Sequence, residues 1–161
     1  MTAQEHTTIL KFQRVAPVDI TALATEFGLS VYERDDLPEG VSGMICRDTS
    51  GESQSGYSIR VNADDVYTRQ RFTIAHECAH FLLHRDKIGD GITDDAMYRS
   101  DKMTTQDEFA ANNKAADLLM PRNLVLKYVA EGTSDANTLA HLFEVSVPAM
   151  QVRLRYLLYI R

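Results

Sequence analysis

The sequence predicts an α+β fold in which a small antiparallel sheet packs on a buried helix and a second helix, with a C-terminal helical pair behind them. Three observations carry this. Between residues 29 and 61, three short β-prone runs alternate with Pro38, Gly40, Gly51 and Gly56, the punctuation of hairpins and turns. From about Thr68 to His84 the pattern turns helical, and between Phe72 and Leu83 it is apolar on every side, which marks a buried helix. From about Asp107 to Met120 a second apolar stripe repeats at helical spacing and stops at Pro121, where a helix is expected to end.

In chain order, residues 1–16 show no clear period and are expected to form an N-terminal arm. Ile20, Leu23, Ala24 and Phe27 fall at i, i+3, i+4 and i+7, one face of a helix, and Gly28 stands where a helix end favours positive φ. The three strands are Leu29–Tyr32, Gly43–Cys46 and Tyr57–Val61. Residues 86–106 are polar and rich in Asp and Gly. They are much longer than the usual connection of about four to six residues, which suggests a functional loop or cover. Residues 17–121 form the core and 122–161 a helical extension of the same domain, with two helical segments from about Asp135. Leu139, Ala140, Phe143, Val145, Ser146, Ala149, Met150 and Leu154 have the rhythm of a helix-turn-helix, with Ser146 as cap of its second helix.

Composition narrows the function. With 161 residues, 44% apolar and 25% charged, the chain is an ordinary globular one rather than disordered, collagenous or coiled coil. Its net charge of −6 repels polyanions, so a general nucleic-acid coat is excluded. Cys46 and Cys78 cannot build a disulfide framework. No leader-like segment opens the chain, and no apolar run approaches the roughly 20 residues of a membrane span. The expectation is a cytoplasmic protein without a membrane partner.

Chemistry concentrates in the buried helix. In FTIAHECAHFLL the strongly polar residues are His76, Glu77 and His80, and burying such groups costs several kcal/mol unless they are paired. His76 and His80 lie one turn apart, so both rings can reach one ion at zinc-to-nitrogen distances of about 2.0–2.1 Å. Glu77 lies about 100° round the helix, placed to act on an attacking water as general base. The motif arises by accident in about one chain in a hundred or fewer of this length, but usually on charged, exposed helices. Here its flanks Thr73, Ile74, Cys78, Ala79, Phe81 and Leu82 are uncharged. His84 continues the i+4 series but is rotated away, which makes it a supporting or loop-anchoring histidine. Cys78 points away from His76 and reads as core.

A catalytic zinc takes three protein ligands, and the second helix offers Glu108, which heads the stripe of Ala111, Asn112, Ala115, Leu118 and Leu119. Glu108 with Thr105 could instead be a capping box. Thr104 with Asp107 fits that pattern equally, so capping does not require Glu108. Asn112 is suited to orient a histidine ligand. Tyr98 and Tyr57 are the candidates for the oxyanion donor, and Tyr57–Asn62 is a candidate sheet edge for an extended substrate.

RFTIAHECAHFLLH, EFAANNKAADLLMP and LAHLFEVSVPAMQVRL resemble the zinc metallopeptidase family known from the ImmA and IrrE proteins, over about Ile20–Leu154. The resemblance assigns the metal to His76, His80 and Glu108, the general base to Glu77 and the family's asparagine to Asn112. It implies a gluzincin-like hydrolase with one Zn²⁺ per chain. The implied substrate is a helix-turn-helix repressor or antitoxin, and the implied role is regulation of transcription in a mobile element or stress response. Ala79 and Glu144 replace common glycines, and Lys114 a common aromatic. The competing class is a non-proteolytic toxin, anti-repressor or helix-turn-helix binding module with a structural or regulatory metal. Residues 122–161 carry five basic and three acidic side chains, weak support for direct DNA contact. Packing of the two helices on the core is the stronger expectation.

Overall fold

The computed structural model describes residues 1–89 and 103–159. Where an arm was expected, α1 (Ala3–Phe12) forms on a capping box. The Glu5 N–H donates to Thr2 Oγ1 at 3.1 Å and the Thr2 N–H to the Glu5 carboxylate at 2.6 Å, which satisfies two of the donors a helix start leaves open. Ile9 anchors α1 in the core at 3% exposure. The second helix, α2 (Ile20–Glu26), starts on Asp19, whose carboxylate accepts from the Ala22 N–H. Gly28 ends it at φ 78°, as the spacing required.

The strands are β1 (Ser30–Arg34), β2 (Gly43–Arg47) and β3 (Tyr57–Asn62). The expected antiparallel pairing holds for β2 with β3 only. β1 pairs with β3 in parallel, giving a mixed sheet of order β1-β3-β2. The chain passes from β1 to the far edge and returns down the middle, so β2, antiparallel to β3, supplies the reversal that leaves edge strand β1 parallel to central β3. Tyr57–Asn62 is therefore the central strand and not an edge. Its backbone is engaged on both sides, and an incoming strand would have to use β1 or β2. Ile59, opposite Val31 and Ile45, is fully buried, a burial that contributes roughly 1.5–3 kcal/mol.

α3 (Tyr67–Leu83) receives the sheet and α2, and α4 (Thr105–Leu119) lies along it. Ala75, Cys78 and Ala79 on α3 and Ala111 and Ala115 on α4 are fully buried, and their small size permits close approach. Lys114 does not disturb this, since Ala115, Leu118 and Leu119 are still fully buried. Gly43 has the same role for the sheet: a Cβ there would come within 2.6 Å of the Arg60 carbonyl oxygen and collide with the Thr73 methyl.

Three further helices complete the core: α5 (Arg122–Ala130), α6 (Ala136–Phe143) and α7 (Val147–Tyr159). Ser146 caps α7, accepting from the Ala149 N–H at 3.3 Å. Glu144, at φ 51°, takes the left-handed turn where glycine is common. The buried Arg71 of α3 holds it there. Its Nε donates to the Glu144 carbonyl at 3.0 Å, Nη1 lies 3.5 Å from the Glu144 carboxylate, and Nη2 donates to the Val18 carbonyl at 2.9 Å. A second buried arginine, Arg153 of α7, donates to the Met120 carbonyl at 2.9 Å and to Asp117 at 2.6 Å. Among the described residues no helix is long and apolar enough to cross a membrane.

Two stability outcomes follow, both measurable by chemical denaturation. Gly43→Ala is expected to cost about 1–3 kcal/mol through overpacking. Glu144→Gly loses the Arg71 pairing but relieves the left-handed backbone, whereas Glu144→Ala loses the pairing and keeps that cost, so the alanine variant should be less stable by about 1 kcal/mol.

Candidate metal centre

α3 and α4 bring three ligand-type atoms together. His76 Nε2 and His80 Nε2 are 3.0 Å apart, and the Glu108 carboxylate lies 3.3 Å from the first and 3.6 Å from the second. A tetrahedral zinc with ligands at about 2.0–2.1 Å separates any two of them by roughly 3.3 Å. The donor triangle therefore fits such an ion. The Nδ1 of His76 stands 3.1 Å from Asn112 Oδ1. The amide oxygen accepts that nitrogen's proton, which leaves Nε2 as a lone pair aimed at the other donors. A lone pair on His76 Nε2 at this range can be met either by a proton on His80 Nε2 or by a cation shared among the three donors.

The capping question is settled by geometry. The Asp107 N–H donates to Thr104 Oγ1 at 3.2 Å, and the Thr104 N–H donates back to Asp107 Oδ2 at 2.8 Å. Thr104 and Asp107 form the box, and Glu108 turns instead toward the two histidines.

The two histidines sit in different surroundings. The His80 side chain is 5% exposed and that of His76 17%. Burial, with the His76 and His84 rings beside it, pushes His80 from 6.5 down to about 3. It stays neutral at ordinary pH, as a ligand must. Behind it, His84 Nδ1 is 3.2 Å from His80 Nδ1, and His84 Nε2 is 3.3 Å from Asp107 Oδ1. Glu77 is buried on the same helix turn as His76. Phe72 stacks on the His76 ring with centroids 6.5 Å apart.

Other expected site residues are placed elsewhere. Tyr57 packs edge-on against Phe81 at 5.5 Å and lines a groove of about 510 Å³ with Arg47, Glu5 and Arg85. Tyr98, and most of the cover expected over 86–106, lie outside the described residues. Cys78 is fully buried, and desolvation pushes its thiol up, consistent with a packing role. Sequence reasoning gave Lys87 no role and Asp107 only that of a cap. The ammonium of Lys87 is 2.7 Å from Asp107 Oδ2, a pairing across 20 positions that periodicity cannot signal.

Residues 24–155 match the model of a peptidase family described as the IrrE N-terminal-like domain. The chain is 32% identical over 112 residues to the radiation response metalloprotease IrrE of Deinococcus deserti, covering 64% of this chain and 39% of that one. A solved Mycobacterium tuberculosis transcriptional regulator shares the fold at a TM-score of 0.61 and 18% identity, over 96% of this chain and 47% of the other. The chain thus spans less than half the length of either protein.

Elemental analysis of the purified protein should find one zinc-like ion per chain, and His76→Ala, His80→Ala and Glu108→Ala should each lower that ratio. Full occupancy in Glu108→Ala would remove it from the ligand set. The depressed His80 also sets a pH dependence for the metal-free chain. An unfolded imidazole takes up its proton near pH 6.5, the folded one only near 3. Between these values the unfolded state binds more protons, so His80's contribution to stability is complete above about 6.5 and is lost as pH falls toward 3. Thermal unfolding midpoints across this range should decline as the pH is lowered, with the first loss near 6.5.

Proposed function

The chain belongs to the IrrE N-terminal-like family of peptidases, and we propose that it is a zinc-dependent endopeptidase of the gluzincin type. On this reading it acts in the cytoplasm and cleaves a helix-turn-helix repressor or antitoxin, so that cleavage relieves repression. The observation that carries the catalytic part is the donor triangle of 3.0, 3.3 and 3.6 Å between α3 and α4, next to Glu77. His76, His80 and Glu108 would hold the ion. Zinc, when bound, supplies a Lewis acid that lowers the pKa of water toward roughly 7 and polarises the scissile carbonyl.

Glu77 takes a proton from the attacking water and delivers it to the leaving amine. Asn112 keeps the His76 ring turned through its Nδ1–H, and the neutral state of His80 is secured by burial. The central position of β3 leaves β1 and β2 as the strands along which an extended substrate can add. A zinc and a general base would hydrolyse many peptides, so selectivity for a repressor has to come from docking outside the site. The net charge of −6 suits a basic DNA-binding partner. In α6 and α7, Leu139, Phe143 and Met150 are fully buried, which supports packing on the core over direct DNA contact.

The test is incubation of the zinc-loaded protein, and of its Glu77→Gln form, with the purified repressor or antitoxin encoded beside its gene. The amide keeps the shape of the carboxylate but cannot accept the proton, so the variant should retain metal and lose turnover. The expected result is a discrete cut by the first protein and a stable uncut complex with the second. Hydrolysis by Glu77→Gln would remove that residue from the mechanism. Equal binding without cleavage by either form would support the non-proteolytic toxin or anti-repressor instead.

A further inference from the structure

We infer that Lys87, Asp107 and His84 are positioning residues that fix the tautomer of His80, so that its Nε2 presents a lone pair to the metal position. The inference rests on the metal reading above and extends it to side chains that touch no ligand position themselves. The chain of contacts runs across both helices. Lys87 Nζ lies 2.7 Å from Asp107 Oδ2, Asp107 Oδ1 3.3 Å from His84 Nε2, and His84 Nδ1 3.2 Å from His80 Nδ1. His80 Nε2 then faces His76 Nε2 at 3.0 Å.

With the His84 ring neutral, which the inference includes, donor and acceptor bookkeeping along this chain leaves one arrangement. Asp107 Oδ2 receives Lys87 Nζ, the Thr104 N–H and the Thr104 hydroxyl, all between 2.7 and 2.8 Å. Three donors on one oxygen keep the group an ionised carboxylate, which accepts and cannot donate. The nitrogen that faces its other oxygen, His84 Nε2, must therefore carry the proton. We infer that His84 carries only this proton, and a neutral imidazole has a single N–H, so its Nδ1 is an acceptor. His80 Nδ1 stands against it and has to supply the hydrogen. The one proton of neutral His80 is thus committed to Nδ1, and Nε2 keeps its electron pair.

Asn112 does the same for His76 directly, through an amide oxygen. For His80 the terminal acceptor is a charged carboxylate relayed through a second ring, in a place where His84 is only 9% exposed and water is largely excluded. Asp107 is also the partner of Thr104 at the start of α4, one residue before Glu108. The same carboxylate therefore orients a ligand on α3 and closes the helix turn that carries the ligand on α4.

The test uses the full chain and reads two quantities, one of which needs no metal. Long-range nitrogen–proton correlation spectra of the metal-free protein report which imidazole nitrogen is protonated. The expected pattern for His80 is protonated Nδ1 in the wild type and a mixture of tautomers in His84→Phe. Zinc affinity is then measured by competition with a chelator. His84→Phe and Asp107→Asn should each weaken it about 10–100-fold, whereas His84→Gln, whose amide oxygen can accept the His80 proton, should restore most of the loss. A packing role predicts the reverse order, with phenylalanine the better filler of a buried position. Both histidine variants leave the Thr104–Asp107 box intact, so the comparison stands even if Asp107→Asn does not fold. His80 protonated on Nε2 in the wild type, or equal losses in His84→Phe and His84→Gln, would overturn the inference. Failure of the wild type to take up zinc would overturn the metal reading alone, and the spectra would still decide the tautomer.

Discussion

Two imidazole nitrogens facing each other at 3.0 Å, with a carboxylate at similar range, are the constraint around which this fold is arranged. Helix geometry pairs the two histidines, but Glu108 comes from a second helix separated from theirs by more than 20 residues of chain, so no local geometry brings it to them. Small errors in how α3 and α4 are aligned would open the triangle. Alignment is enforced at several points. Alanines at 75, 79, 111 and 115 allow close packing in the middle. Asp107 ties the first turn of α4 to Lys87 just past the end of α3. At the other end of α4, Arg153 holds the Met120 carbonyl, and the Gln13 amide donates to the carbonyls of Asp117 and Leu118. Helix ends leave carbonyls unsatisfied, and here those carbonyls serve as the attachment points for distant elements.

Much of the site was legible because it is local. His76, Glu77 and His80 lie within five positions of one helix, and the uncharged flanks made their burial visible before any coordinates. Glu108 was legible by elimination, since Thr104 and Asp107 could cap α4 without it, and the hydrogen bonds bear out that division. Gly28 and Ser146 likewise reflect single-residue rules at helix ends, and both hold.

What escaped has a common physical basis: it depends on contacts between segments far apart in the chain. The strand runs were placed to within two residues, yet nothing in an alternating pattern tells whether β1 meets β2 or β3, and so the parallel pair was missed. The contacts of Lys87 with Asp107 and of Arg153 with Asp117 are equally nonlocal. α1 and α5 are different, because their signals were present. Thr2 and Glu5 already stand at capping-box spacing, and Pro121 precedes a run, Arg122–Ala130, of residues compatible with a helix. Short helices lack the several repeats that make periodicity persuasive, so the cap is the stronger evidence there.

The first turn of α4 has a consequence for dynamics. Helix termini are the parts of a fold that open most readily, often with much less free energy than global unfolding requires. In this chain the terminal turn contains Asp107 and Glu108 side by side, closed by Thr104. When that turn frays, the carboxylate of Glu108 leaves the histidines, and Asp107 lets go of Lys87 and His84 in the same event. The third donor is therefore available only for the fraction of time that one small cooperative unit is closed. Anything that binds across this turn, an ion between the helices included, draws its stabilising effect from holding that unit shut.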